Sequence, residues 1–224
     1  MLRCALHDRA FIGIVILGQV LCLFPVRLLL QRTFKPRSTT VLCATLRLLL
    51  MSRLIQTPET THRVYFQDCD LLGHLNNARY LDYFLNARED HTTAHYALNM
   101  GELAREQHAA WVITKHHISY LKPARQGGQV RILSQLIHFD NSSLVLEMQM
   151  RSEDGTRLLA LLWSEMAYVT MPAGTRADHA NAMMDLLDEL DVEDVNYDPD
   201  GFDDRVKEVR QQLKKLRRGA GTEE

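Results

Sequence analysis

A chain of 224 residues has room for one domain with appendages. Its composition, 46 % hydrophobic and 24 % charged, excludes a chain disordered throughout, and a formal net charge of −2 leaves no basic surplus for a nucleic-acid partner. The charge is unevenly spread: residues 1–50 hold seven Lys/Arg against the single acid Asp8, and residues 51–224 hold 19 basic and 27 acidic groups.

The leader, residues 1–50, carries an apolar run from Ala10 to Val26 inside the segment 10–30. At about 17 residues it sits at the lower limit for crossing a hydrocarbon core. Arg3 and Arg9 precede it, and Arg27, Arg32, Lys35 and Arg37 follow. Three readings stay open: a membrane anchor, a targeting signal, or an upstream extension of the reading frame, since Met51-Ser-Arg-Leu looks like a start and the composition changes there. Cys4, Cys22 and Cys43 lie in this leader and leave the body the single thiol Cys69, which makes no disulfide framework. A cytoplasmic protein is expected on that ground, with attachment to a membrane through residues 10–30 as the alternative.

The body reads as strand, helix and then four strands. Arg63–Gln67 is a short β-like run, followed by a loop at 68–77. Residues 78–98 form a helix by the 3.6-residue spacing of Tyr80, Leu81, Phe84, Ala87, Arg88 and His91. Asn76 or Asn77 would cap its start and Gly101 would stop it. Strands follow at Trp111–Leu121, Gly128–Phe139, Leu144–Met150 and Leu158–Met171, with turns at Gln126-Gly127-Gly128, Asp140-Asn141-Ser142 and Asp154-Gly155. This order gives an α+β layout, an antiparallel sheet wrapped around one long helix. Both alternating phases of the later strands are apolar, and a strand apolar on both faces expects cover on both. With one long helix in the body, the second face would fall to another protomer. After residue 173 the chain turns strongly charged: eleven acids and no Lys or Arg from Asp178 to Asp204, then seven basic residues from Arg205 to Arg218. That pattern reads as a solvated helical tail whose halves attract each other.

The densest chemistry lies in the loop Asp68-Cys69-Asp70-Leu71-Leu72-Gly73-His74-Leu75-Asn76-Asn77, closed by Tyr80. It delivers the chain to a helix N-terminus, where unsatisfied N–H groups and partial positive charge suit an oxyanion. A carboxylate a few residues earlier can serve there as base or nucleophile, and Gly73 allows a close backbone approach.

The run YFQDCDLLGHLNNARYLDYFLNARE resembles the signature of the hotdog-fold acyl-CoA thioesterases, the superfamily typified by 4-hydroxybenzoyl-CoA thioesterase. That resemblance implies a hotdog domain at 51–173 hydrolysing an acyl-CoA, or an acyl carrier protein thioester, to free acid. It implies Asp70 as base or nucleophile and the Asn77 N–H as the group polarising the carbonyl. His74 matches a histidine of the plant acyl-ACP thioesterases, but Leu72 stands where those have asparagine. Gly73, Asn76 and Tyr80 fall within substrate reach of the motif, and Lys122, Arg125 and Arg131 could meet CoA phosphates. Ser119 stands near a position where some relatives carry an acid. No cofactor and no metal is needed. A homodimer or homotetramer with a shared site is implied, with no nucleic-acid partner and membrane contact only through the leader. The alternative is a hotdog acyl-binding or dehydratase-type protein. His91 and His95 at i, i+4 and the pair His116-His117 lack the companions of a metal motif, and Trp111, Trp163 and Met166 read as core.

Overall fold

The computed structural model describes residues 54–96 and 98–219. The leader and its three readings lie outside the described residues. The elements run β1 (Glu59–Arg63), α1 (Tyr80–Tyr96), α2 (Met100–Glu106), β2 (Ala109–Tyr120), β3 (Gln129–Phe139), β4 (Ser143–Ser152), β5 (Leu158–Thr170), α3 (Asn181–Leu190) and α4 (Phe202–Gly219). The five strands form one antiparallel sheet in the order β1-β3-β4-β5-β2.

The sheet wraps α1, as its sequence pattern requires. Phe84 and Ala87 of the helix are fully buried against Val130, Ile132, Met148, Met150, Ala160 and Leu162, one alternating phase of β3, β4 and β5. Three local expectations are corrected. β1 ends at Arg63, paired with Gln129, because the chain then turns away into a single 3-10 turn at Phe66–Asp68. The helix does not run to residue 98. It opens with a 3-10 turn at Asn77–Arg79, capped by the Asn76 side chain accepting from the Ala78 N–H, and closes at Tyr96. Gly101 is not a stop either, because it lies inside α2, where the Asn99 side chain accepts from the N–H groups of Gly101 and Glu102 at 2.9 and 3.1 Å. A capping side chain overrides the breaker tendency of a glycine in the first turn.

The larger correction concerns the second face of the sheet. Ile137, Val145, Leu158, Leu161 and Trp163 are buried there, covered by Val206, Val209 and Leu213 of the chain's own α4. Burying each such side chain is worth about 1.5–3 kcal/mol. α3 likewise buries Met183, Leu187 and Leu190 against Tyr96, Leu136, Leu146 and Tyr168. Residues 174–219 are charged but are not a solvated appendage, since two amphipathic helices there turn apolar stripes to the sheet and most of their charges outward.

Beneath α4 sits one ion pair. The Glu147 carboxylate, with no exposure at all, accepts from Arg205 Nε and Nη2 at 2.8 and 3.1 Å. Gln135, Gln149 and the Trp163 indole donate to it as well, at 2.9, 2.6 and 3.0 Å. A buried charge with this many donors is the form in which the interior tolerates one. These bonds hold the Arg205 guanidinium charged although burial opposes it.

Candidate active site

Two backbone ladders hold the loop between β1 and α1 in place. Asp70 N–H donates to His74 O at 2.8 Å and Gly73 N–H to Asp70 O at 3.1 Å, closing a tight turn that Gly73 completes with φ +70°. On its outer side Leu75 N–H donates to Ala124 O at 2.8 Å and Gln126 N–H to Gly73 O at 3.0 Å, so the run Pro123–Gly127 lies directly alongside. His74 pairs with Arg125 across this seam.

The two acids of the loop have opposite environments. Asp68 is buried at 5 % exposure. Its Oδ1 accepts from Arg79 Nε and Nη2 at 3.1 and 2.8 Å, and its Oδ2 from the Tyr83 hydroxyl at 2.8 Å. The Tyr83 hydrogen bond, then Arg79, hold this carboxyl below its ordinary range against the opposing pull of burial. Tyr83 in turn is pushed up to about 12 by burial and by the Asp68 acceptor. Asp68 is thus committed to fastening the loop to the first turns of α1. Arg79 and Tyr83, one helical turn apart, were the sequence signal for this cluster, and the sequence reading missed it.

Asp70 is exposed. Its Oδ1 accepts from the N–H groups of Leu72 and His74 at 2.9 and 3.2 Å, which fixes the carboxylate on its own turn, while Oδ2 has no donor among the described residues. Asn76 and Asn77 stand at the helix start, tied to the loop through Asn76 N–H donating to Asp68 O at 2.9 Å. The Asn77 N–H has no protein acceptor among the described residues, and its carbonyl accepts from the Tyr120 hydroxyl at 3.0 Å. His74 is half-buried beside Gly73. Between the acids, the Cys69 thiol donates to Tyr65 O at 3.3 Å and is pushed up first by burial, then by the charges of Asp68 and Asp70. It is a poor nucleophile.

Other residues singled out in the sequence fall elsewhere. Tyr80 is in the core, where its hydroxyl accepts from the Ala124 N–H at 3.3 Å and its ring meets Tyr120 edge-on. Lys122 and Arg125 are exposed on a cleft of about 380 Å³. Arg131 is ion-paired with Glu59. Ser119 is half-buried on β2. His91 is fully buried, with Nδ1 2.8 Å from Ser134 Oγ and Nε2 3.0 Å from Thr60 Oγ1. His116 Nδ1 lies 3.0 Å from Ser164 Oγ, and the His117 ring stacks edge-on against Phe202. Among the described residues no group of three or more His, Cys, Asp or Glu side chains is placed to hold a metal ion.

Residues 64–207 match the sequence profile of the thioesterase-like superfamily. The chain belongs to that superfamily. The match begins directly after β1, four residues before Asp68, and runs through α3 into α4. Among solved structures, this superfamily member is similar to a 1,4-dihydroxy-2-naphthoyl-CoA thioesterase from Synechocystis, at 15 % identity and a TM-score of 0.53 over 58 % of this chain and 95 % of that one. It is similar to the probable thioesterase YbaW from Escherichia coli, at 22 % identity and 0.52 over 59 % and 97 %. It is also similar to a Staphylococcus aureus hypothetical protein in complex with CoA, at 15 % identity and 0.55 over 65 % and 92 %. These likenesses establish the hotdog fold, the sheet around α1. No curated protein matches the chain. Among the described residues no helix is long and apolar enough to cross a membrane.

Proposed function

We propose that the protein is an acyl-CoA thioesterase in which Asp70 is the catalytic carboxylate. One observation carries this reading: of the two acids in the loop, Asp68 is consumed by Arg79 and Tyr83, whereas Asp70 is solvent-facing, oriented by two N–H groups, and keeps one oxygen free. The free oxygen can take a proton from water or attack the thioester carbonyl to give a mixed anhydride. The uncommitted Asn77 N–H at the helix start polarises the carbonyl oxygen and meets the charge that develops there. The leaving thiolate belongs to a thiol of pKa about 8.5, so no strong acid is needed to expel it. Gly73, His74 and Asn76 shape the turn around the reacting carbon, and no metal or cofactor enters the scheme.

A two-fold assembly supports the same site. Among the described residues β2 pairs only with β5, which leaves its other edge without a strand partner, and Val112 and Ile113 on it are exposed. Leu71 and Leu72, flanking Asp70, are exposed at 105 % and 77 %. In the proposed dimer a second protomer covers these apolar groups and completes the acyl pocket.

The test is thiol release from a panel of acyl-CoAs, with Asp70→Asn as comparison. An asparagine Oδ1 accepts the same two N–H bonds, so the turn survives while the basicity is lost. Turnover should fall about 10²–10⁴-fold. A normally active Asp70→Asn protein would refute the assignment, and binding without any hydrolysis would favour the acyl-binding alternative.

A further inference from the structure

The outward face of α4 gathers a charge opposite to that of the body that carries it. Residues 51–204 hold 12 basic and 24 acidic groups, whereas 207–218 hold six cations against the single acid Glu208. Val206, Val209 and Leu213 turn to the sheet, so helical spacing throws Lys207, Arg210, Lys214, Lys215 and Arg218 to the other side, where all are exposed. Glu208 does not neutralise them, because its carboxylate accepts from Arg205 Nη1 at 2.9 Å and from Gln212 Nε2 at 3.1 Å. Lys207 pairs with Asp204 at 2.7 Å. The other five cations of 207–218 form no ion pair among the described residues. A shallow groove of about 280 Å³ on this face is lined by Lys207, Arg210, Gln211 and Lys214 and by no acid. The helix macrodipole favours cations at a C-terminus, but that effect fades beyond the last turn. It accounts for Arg217 and Arg218 and leaves Arg210 and Lys214, further up the helix, without a structural task.

We propose that this face of α4 docks on the anionic surface of a phospholipid bilayer, with phosphate and carboxylate headgroups as its ligands. From Lys207 to Arg218 the stripe runs for about 16 Å along one side of the helix, a line of charge that meets a plane. Each Lys or Arg held near an anionic bilayer strengthens the attraction about fivefold, so five unpaired cations multiply to a hold on the order of a thousandfold. The leader carries the other kind of membrane signal, the apolar run Ala10–Val26 with four cations after it from Arg27 to Arg37. An apolar segment combined with a polybasic patch holds a protein at a bilayer better than either alone. Other occupants fit less well. A second copy brings the same acidic body, and a nucleic acid calls for a wider basic face or for aromatic side chains that stack on its bases. A body this acidic with one basic stripe is polarised, and it meets an anionic plane with that stripe first. The proposal stands apart from the thioesterase reading, because no residue of the Asp70 loop takes part in it.

The experiment incubates the full chain with vesicles of phosphatidylcholine alone and with vesicles of equal parts phosphatidylcholine and phosphatidylserine. Lysine acetylation, read residue by residue by mass spectrometry, reports which face is covered. On the mixed vesicles Lys214 and Lys215 should be protected severalfold relative to phosphatidylcholine alone, while Lys115 and Lys122 react equally on both. This contrast is read at α4 itself, so it holds even if the leader fastens the chain to both kinds of vesicle. The docking constant taken from the protected fraction should fall about fivefold in Arg210→Gln and should weaken further as salt is raised. Arg105→Gln, an equal change of charge on the exposed side of α2, should leave it unchanged. Glutamine is as good a helix former as arginine and position 210 is exposed, so Arg210→Gln keeps the fold. Equal protection on both kinds of vesicle, or none on either, overturns the proposal, and so does protection that Arg210→Gln and added salt leave intact. Protection of Lys214 and Lys215 that grows with protein concentration in the absence of vesicles also overturns it, and gives the face to a second copy.

Discussion

Arg205→Met tests whether α4 belongs to the working fold. Methionine keeps the buried aliphatic stem of the arginine but deletes the two N–H donors at 2.8 and 3.1 Å from the fully buried Glu147 carboxylate. Removing one partner of a buried pair usually costs 3–5 kcal/mol, because the other is left charged in a poor solvent. Here Gln135, Gln149 and Trp163 still donate to Glu147, so the lower end applies, about 3 kcal/mol. For a body of this size that is a fall in Tm of about 6–12 °C. Denaturant unfolding followed by tryptophan fluorescence is a suitable assay, because Trp163 donates directly to Glu147. Adding Glu147→Gln removes the stranded charge while keeping an amide oxygen as acceptor. The double variant should regain about 1–2 kcal/mol relative to Arg205→Met alone, a coupling of the size expected for residues in contact. A loss below about 1 kcal/mol in the single variant, or two strictly additive losses, would show that α4 is not fastened to the sheet in the way described.

The remaining predictions concern the two ends of α1. Asp68→Asn keeps the side chain's volume but weakens its bonds to Arg79 and Tyr83, so it should cost about 1–2 kcal/mol of stability and leave kcat near normal. Asp70→Asn should show the opposite pattern, and a dead but fully stable Asp68→Asn enzyme would exchange the two roles. His91 is held down to about 4 from an ordinary 6.5 by burial first, and then by Arg88 and the neighbouring His95 and His62, with Asp90 acting the other way. The unfolded chain therefore takes up this proton before the folded one does. The stability that the neutral ring allows is present above about pH 6.5 and drains away as the pH falls towards 4, by at most about 3 kcal/mol. His62, His116 and His179 are lowered in the same sense, so the quantity to measure is the difference between the parent and His91→Gln in unfolding free energy at pH 7 and pH 4.5. Equal slopes in the two proteins would rule out His91 as the source.

The layout of the sheet and its long helix was legible because hydrophobic periodicity is a local signal. Val130 and Ile132, Met148 and Met150, Ala160 and Leu162 fall on one phase and pack on α1 as that phase demands. The opposite phase was equally visible, but what covers it was not. Leu161 and Trp163 report only that they need cover, and whether it comes from Val209 and Leu213 or from another protomer is a tertiary question with no local trace. Charge misled the reading at the same place. Between Arg205 and Arg218 the seven cations dominate the composition, while the buried stripe needs only Val206, Val209 and Leu213. At the candidate site the resemblance singled out Asp70 of the two acids in the loop. What Asp68 does instead was not legible, because its partners Arg79 and Tyr83 lie 11 and 15 residues further on and meet it only once the helix has formed.

The way α4 closes the sheet bears on how the chain is made. Every strand precedes it in synthesis, and roughly 30 residues separate the end of β5 from the start of α4. At 5–20 residues per second, that interval lasts about 2–6 s. Through it the newly paired sheet presents Ile137, Val145, Leu161 and Trp163 to water, with the Glu147 carboxylate among them still waiting for its guanidinium. A nascent chain halted in this window would display an apolar surface ringed by strands, the kind of surface that chaperones hold and that aggregates recruit. The quality of the final protein is therefore set late, by a helix that contributes nothing to the chemistry of the loop.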